Sequence, residues 1–181
     1  TASHNPPQDN GYKVYLGDGS QIVPPADSDI ASEIAAVTSV ADLALSDEWE
    51  TADESVVTAY INAAVAVVDA KAPRAITVAS TSLHGVGDEV WRAVMSAAGY
   101  AAPHVVVEQA DPDPDFPTVV FPNPEEAGAT DLLIELASKV NADIAIAHDP
   151  DADRCAMAAP DRDGKWRLLR GDEVGALLGW W

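Results

Sequence analysis

The chain has 181 residues, of which 48% are apolar, so it can bury a substantial core and is not disordered throughout. Its 30 acidic and 10 basic residues give a net charge of −20, which argues against binding to nucleic acid or to an anionic membrane. The sequence has no apolar run long enough to span a membrane, and its single cysteine cannot form an internal disulfide, so we predict a cytoplasmic location.

The first part of the chain is predicted to contain a loop, a hairpin and a helix. Small and polar residues closed by two prolines indicate a loop over residues 1–7. Alternating apolar residues around a Gly-Asp-Gly turn predict a β-hairpin over residues 12–23. A helix then follows from Asp27. Residues 42–54 are acidic and aperiodic, as linkers are, and we predict a first domain over residues 1–48 and a second over residues 49–181.

The second region alternates helices and strands, which predicts an α/β fold. A helix from Asp53 carries an apolar stripe between Val56 and Val68, which we expect to pack in the core. Strands are predicted at residues 74–79, 104–108 and 144–147, with helices between them. A second hairpin is predicted over residues 155–169, followed by a helix that begins near Gly171.

Three alternating aspartates directly follow the predicted strand at residues 144–147, in the run Asp149-Pro150-Asp151-Ala152-Asp153-Arg154. Open α/β sheets place their ligand sites at this end of a strand. Each pair of carboxylates brought within about 4 Å repels by about 4 kcal/mol at an effective dielectric constant near 20, and a divalent cation would remove that cost. Oxygen ligands favour Mg²⁺ or Ca²⁺ over zinc. An EF-hand loop is excluded, because Arg154 and Pro160 stand where its glycine and glutamate would be.

Ser3, His4 and Lys13 supply the residue types that a nucleophilic serine needs, namely a hydroxyl in a loop, a neighbouring acid or base and a positive charge. Other segments have simpler interpretations. The run Asp111-Pro112-Asp113-Pro114-Asp115 also alternates three carboxylates, but its prolines favour an extended, solvated loop. We interpret the segment 83–87 as a turn that needs glycine, with an anion-binding nest as the alternative. His104 and His148 are expected to have no catalytic role, and Cys155 is expected to be buried and unreactive.

Taken together, the runs at residues 1–6, 10–13 and 149–154 resemble the α-D-phosphohexomutases, the phosphoglucomutase/phosphomannomutase family. Residues 83–87, 121–126 and 171–173 resemble that family as well, so the resemblance covers nearly the whole chain. It implies a mixed β-sheet sandwiched by helices, in a fragment of a four-domain enzyme whose domains surround one cleft. His148 departs from the family pattern, in which asparagine or a small polar residue is expected before the first aspartate.

The resemblance also implies a mechanism and a role for each matching residue. Ser3 would be the phosphoserine, and Asp149, Asp151 and Asp153 would bind one Mg²⁺ together with a phosphate oxygen on Ser3. Lys13 would be the general acid/base, His4 would position or handle a proton beside the nucleophile, and Arg154 would face the phosphoserine loop. The implied reaction interconverts hexose 1-phosphate and hexose 6-phosphate, of glucose or mannose, through glucose or mannose 1,6-bisphosphate.

The implied partners are a small-molecule sugar phosphate and the missing domains of the same full-length chain, with no nucleic acid and no membrane. The resemblance implies that the loops that choose the sugar belong to the missing domains, so we expect no turnover by these 181 residues alone. Three alternatives remain open at this point. The first is a phosphopentomutase of the same family. The second is a non-enzymatic acidic module that binds a divalent metal such as Ca²⁺ without using Ser3. The third is a phosphatase with Asp149 or Asp151 as its nucleophile.

Overall fold

The computed structural model describes residue 11 and residues 13–181, which form two compact units, Gly11–Asp53 and Glu54–Trp181. The division after Asp53 falls inside the acidic segment 42–54 that the sequence indicates as a linker. Among the described residues, no helix is both long enough and apolar enough to cross a membrane.

The first unit contains one α-helix, α1 (Ala26–Ala36), and a short 3₁₀ turn at Val40–Asp42. The predicted helix is therefore confirmed, although Pro25 rather than Asp27 stands at its N-cap. The predicted hairpin is present only as one isolated bridge between Tyr15 and Gln21. Its turn is well formed, because the Asp18 carboxylate accepts hydrogen bonds from the Ser20 N–H and hydroxyl. Among the described residues of this unit no further strand pairs with the ribbon, and an isolated two-stranded ribbon is only marginally stable, which explains why the ladder stays short.

The second unit is built on a five-stranded mixed sheet in the order β2-β1-β3-β4-β5. The central strand β3 (Ile144–His148) pairs in parallel with β1 (Val78–Thr81), which pairs in parallel with β2 (His104–Val105). On its other edge β3 pairs antiparallel with β4 (Cys155–Pro160), which pairs antiparallel with β5 (Trp166–Leu168). The predicted α/β fold with a mixed sheet and helices is confirmed.

Helix α4 (Asp131–Lys139) covers the parallel part of the sheet and buries Leu133 and Ala137. Small side chains dominate the core, which allows the helix backbone to approach the sheet closely. The core consists of Ala79, Val106, Leu133, Ala137, Ala142, Ala145, Ala147 and Ala158.

Three further helices complete the second unit: α2 (Ser55–Ala66), α3 (Asp88–Ala97) and α5 (Gly171–Trp180). Helices α2 and α3 pack against each other. The prediction that the α2 stripe lies in the core is wrong, since Val56, Val57 and Tyr60 remain 40–64% exposed. Helix α2 is apolar on nearly every side, so its sequence could not show which face would be covered.

Two predicted strands differ in extent from the observed ones. The strand predicted at residues 74–79 begins later, at Val78. The strand predicted at residues 104–108 ends at Val105, because the chain turns into a 3₁₀ turn at Val107–Gln109. The hairpin of β4 and β5 and the helices α3, α4 and α5 lie where the sequence predicts them.

Candidate metal centre

The aspartate loop, which we define as Asp149–Arg154, connects β3 to β4 at the point where the sheet changes from parallel to antiparallel. The ladder closes immediately before it, with His148 opposite Cys155. Within the loop, the Ala152 N–H donates to the Asp149 carbonyl at 2.9 Å, and Ala152 adopts the left-handed conformation with φ +58°. This tight turn makes the chain double back between the three aspartates.

The three carboxylates converge as the sequence predicts. One ligand oxygen from each of Asp149, Asp151 and Asp153 lies within 4.8 Å of the other two. No other group of three or more such side chains converges in this way within residues 13–181. The spread fits oxygen ligands around one hard divalent cation, whose opposite ligands are about 4.2 Å apart for Mg²⁺ and about 5 Å apart for Ca²⁺.

The exposure of the three aspartates increases along the loop. Asp149 is 0% exposed, Asp151 is half-buried and Asp153 is exposed. A cation held here would therefore keep an open side for water or a phosphate oxygen, as Mg²⁺ usually does in proteins.

Arg154 neutralises the buried member of the cluster. Its Nη2 and Nε donate to Asp149 Oδ2 at 2.8 and 3.1 Å, and its backbone N–H donates to Asp149 Oδ1 at 3.0 Å. Desolvation acts to lower the pKa of Arg154, but the hydrogen bond and the charge of Asp149 outweigh it and raise that pKa. The Arg154 side chain is 46% exposed, so it remains accessible while it orients Asp149.

His148 lies beside the centre and not in it. Its ring packs on Trp91 with the centroids 5.0 Å apart, and both side chains line a cavity of about 660 Å³ between α2, α3 and the aspartate loop. Desolvation lowers the pKa of His148, against the opposing charges of Asp149 and Asp88. The imidazole is therefore held mainly as the neutral ring near pH 7.

Cys155, at the start of β4, is exposed, so the prediction that it is buried is wrong. The side chain alternation along β4 explains the difference, since Ala156 and Ala158 point into the core and Cys155 precedes them. Desolvation of the sulfur and the negative charge of Asp149 nevertheless raise the pKa of the thiol, which keeps it in its less reactive form.

Of the residues predicted for the site, the structure brings Asp149, Asp151, Asp153 and Arg154 together. Lys13 lies exposed in the first unit. Ser3 and His4 lie outside the described residues, so their predicted roles stay predictions. The sequence reasoning gave no role at this centre to residues 82–87, which contact the aspartate loop directly. Two glycines in a segment that also resembles the family are the signal that could have found them.

The chain is similar to known protein families and to individual proteins. The profile described as "Phosphoglucomutase/phosphomannomutase, alpha/beta/alpha domain II" matches residues 58–164, and the profile of domain I of the same family matches residues 1–41. The chain is 51% identical over 187 residues to a "Probable phosphomannomutase" of Haemophilus influenzae, covering 100% of this chain and 38% of that protein.

Other relatives carry different names. The chain is 42% identical to a mouse "Phosphopentomutase" and 36% identical to a human "Glucose 1,6-bisphosphate synthase", in each case covering 100% of this chain and 31% of the relative. Among solved structures, a putative phosphomannomutase from Thermus thermophilus aligns with a TM-score of 0.65 and 26% identity, over 88% of this chain and 35% of that one. The chain thus spans 31–38% of the length of these relatives.

The relatives named as mutases belong to one class of enzymes, the isomerases that act as phosphotransferases. Within that class, the chain belongs to the phosphoglucomutase/phosphomannomutase family, since the domain II profile alone matches more than half of its length. The resemblance drawn from the Ser3 and Asp149 motifs is confirmed.

Proposed function

We propose that the full-length protein is a Mg²⁺-dependent phosphohexomutase that interconverts the 1-phosphate and 6-phosphate of glucose, mannose or both. The observation that carries this proposal is the convergence of Asp149, Asp151 and Asp153 within 4.8 Å in a chain that is 51% identical to a probable phosphomannomutase. The aspartates and a phosphate oxygen on Ser3 would hold the cation, which supplies charge neutralisation at the transferring phosphoryl group.

In this mechanism Ser3 carries the phosphoryl group and gives it to the free hydroxyl of the bound hexose phosphate. The bond from phosphorus to Ser3 Oγ breaks as the bond to the sugar oxygen forms. Lys13 accepts the proton of the attacking hydroxyl, and the departing Ser3 Oγ takes up a proton, which it releases again when Ser3 is rephosphorylated. The resulting hexose 1,6-bisphosphate reverses its orientation in the site and returns its other phosphoryl group to Ser3. His4 would position the nucleophile or handle a proton, and Arg154 would face the phosphoserine loop. Asp149 orients the Arg154 guanidinium group.

A phosphopentomutase is the second candidate, because the whole of this chain aligns with the mouse phosphopentomutase at 42% identity. The two candidates share the phosphoserine and the metal centre and differ only in the sugar. The family resemblance implies that the segments that would choose between them lie in other domains, and this chain spans only 38% and 31% of the two relatives.

The decisive experiment is the intact mass of the full-length protein as purified, with peptide mapping of the segment that contains Ser3. We expect one phosphoryl group on Ser3, which is lost on incubation with excess glucose 6-phosphate or mannose 6-phosphate and Mg²⁺. Loss to ribose 5-phosphate, with no loss to either hexose phosphate, would replace the proposal by the pentose reaction. A Ser3 that is unmodified in the purified protein and also resists phosphorylation by glucose 1,6-bisphosphate would overturn the mutase mechanism.

A further inference from the structure

The segment Ser82–Gly87, which we call the glycine loop, lies directly against the aspartate loop. The Val86 N–H donates to the Pro150 carbonyl at 2.9 Å. Gly85 and Gly87 on either side of Val86 are buried, and so is Pro150. The two loops therefore meet backbone to backbone behind the metal centre.

Gly85 leaves no room for a side chain. A Cβ atom added there would lie 2.2 Å from the Cα and carbonyl oxygen of Pro150 and 2.5 Å from its carbonyl carbon. All three are backbone atoms, which no rotamer change can move away. Any residue other than glycine at this position would push Pro150 outward.

Gly87 makes a second contact of a different kind. A Cβ atom added there would lie 2.9 Å from the Cβ of Ala152. This neighbour is a methyl group, so removing it would restore the space. The two contacts can therefore be told apart by mutation.

The glycine loop is itself fixed from behind by buried hydrogen bonds. The Gly85 N–H donates to the Ser82 carbonyl at 2.7 Å, and the His84 N–H donates to the carbonyl of Gln109, a residue that is 0% exposed. His84 Nε2 lies 2.7 Å from Thr118 Oγ1, which also accepts from Gln109 Nε2 at 2.8 Å. The loop therefore acts as a fixed surface, and the aspartate loop has to conform to it.

The residues that touch this surface alternate with the metal ligands. Pro150 stands between Asp149 and Asp151, and Ala152 stands between Asp151 and Asp153. Displacing either residue moves the carboxylates on both sides of it. A shift of a few tenths of an ångström matters here, because the ligand distances of Mg²⁺ are confined to about 2.0–2.1 Å.

We propose that Gly85 and Gly87 are positioning residues of the metal centre, whose missing side chains let the aspartate loop settle where its three carboxylates converge. This inference rests on the proposed function, because it takes the cluster to be a Mg²⁺ site. It adds two residues, with no ligand atoms of their own, to the determinants of metal affinity.

The test is the Mg²⁺ affinity of the full-length protein, measured by titration calorimetry on the metal-free form, with thermal unfolding to show that each variant is folded. We expect Gly87→Ala to lower the affinity by about tenfold or more, and Gly87→Ala combined with Ala152→Gly to recover most of that loss. Ala152→Gly alone is the reference for the double variant, since glycine keeps the N–H of the turn and suits its left-handed φ. Gly85→Ala should lower the affinity as well, without rescue by Ala152→Gly.

The control is Gly175→Ala in α5, where an added Cβ meets nothing within 4 Å, and its affinity should be unchanged. If Gly85→Ala does not fold, the Gly87 and Ala152 pair still decides the question. Wild-type affinity in a folded Gly87→Ala protein, or failure of Ala152→Gly to rescue it, would overturn this inference while leaving the proposed function intact. A wild-type protein that binds no Mg²⁺ would instead overturn the metal centre itself.

Discussion

Two segments of this chain carry the same acidic pattern, and only one of them brings its carboxylates together. Residues 111–115 read Asp-Pro-Asp-Pro-Asp, and residues 149–153 read Asp-Pro-Asp-Ala-Asp. In the second segment the ligand atoms lie within 4.8 Å of one another. In the first, the Asp113 carboxylate instead accepts a hydrogen bond from the Asp115 N–H at 2.9 Å.

The difference lies in the fourth residue of each pattern. Ala152 adopts φ +58° and donates its N–H to the Asp149 carbonyl. Proline cannot do either, because its ring fixes φ near −65° and it has no N–H. The prediction that residues 111–115 are extended is wrong at Pro114, which lies in a turn closed by the Phe116 N–H donating to the Asp113 carbonyl at 3.2 Å. Pro114 cannot form the turn that Ala152 closes, in which the N–H of the fourth residue donates to the carbonyl of the first. The fourth residue therefore permits the turn that gathers the carboxylates in one segment and forbids it in the other.

Placement adds to this effect. The aspartate loop begins at the end of the central strand β3, where Asp149 is buried and faces the Arg154 guanidinium. Residues 111–115 lie in a connection outside the named strands and helices, where Asp111 and Asp115 are exposed to water and Asp113 is half-buried. The buried carboxylate of the aspartate loop thus depends on the positive charge of Arg154, and residues 111–115 need no such partner.

Substitution of Asp149 by asparagine should have the largest effect. The change leaves the Arg154 guanidinium without its buried counter-charge, and we expect a loss of about 2–3 kcal/mol in the free energy of unfolding, reduced by the partial exposure of Arg154. Urea unfolding measures this loss, and Mg²⁺ binding should disappear with it. Asp113→Asn is the matched control, and an equal loss from that variant would remove the distinction between the two segments.

Ala152→Pro should be the next most damaging change. It removes the hydrogen bond to Asp149 and excludes φ +58°, so we expect about 2 kcal/mol of destabilisation and a loss of Mg²⁺ affinity of at least about tenfold. Titration calorimetry on the metal-free protein measures the affinity. Normal Mg²⁺ binding by the folded variant would show that the turn at Ala152 is not what gathers the ligands.

A smaller, pH-dependent effect is expected at His84, which lies between the two segments. Its carbonyl accepts from the Asp113 N–H at 3.0 Å, while the adjacent Gly85 contacts Pro150. Desolvation lowers the pKa of His84 below its ordinary value of about 6.5, and the charge of Asp113 opposes the shift only in part.

Because the unfolded state then binds the proton more readily than the folded state, the stability contributed by His84 is complete above about pH 6.5 and declines as the pH falls below that value. Urea midpoints at pH 7.5 and 5.5 measure the decline. His84→Asn, which tolerates a positive φ, should flatten it, and an unchanged pH slope in that variant would refute the assignment.

Pro114→Ala should have the smallest effect, and it tests the comparison in reverse. The substitution frees φ but supplies neither a buried strand end nor an arginine partner, so no second metal site should form. We expect the stoichiometry of Mg²⁺ binding to stay at that of the wild type and the stability to change by less than about 1 kcal/mol. A second bound Mg²⁺ would mean that the backbone alone makes the site.

The sequence is sufficient for those features that depend on local patterns. The strand Ile144–His148, the helix Asp131–Lys139 and the converging aspartates follow from apolar periodicity and from like charges that need a cation. It is insufficient where the answer depends on a distant neighbour. The roles of Gly85 and Gly87 are set by contacts with residues more than sixty positions away in the sequence. The exposure of α2 depends on what covers a helix that is apolar on nearly every side.

Arg154 lies between these two cases. Its charge next to three aspartates predicts an ion pair. It does not predict that the partner is Asp149, five residues earlier, or that the Arg154 backbone N–H and side chain both donate to that carboxylate. That choice depends on the turn at Ala152, which returns the chain to the start of the loop.

The exposed Cys155 has a practical consequence. It is the single cysteine of the chain, and it stands one residue beyond the aspartate loop, opposite His148 in the ladder. A fluorophore or spin label attached to its sulfur would report on loop movement without any engineered site. Because the pKa of the thiol is raised, the coupling needs a more alkaline buffer than an ordinary cysteine would.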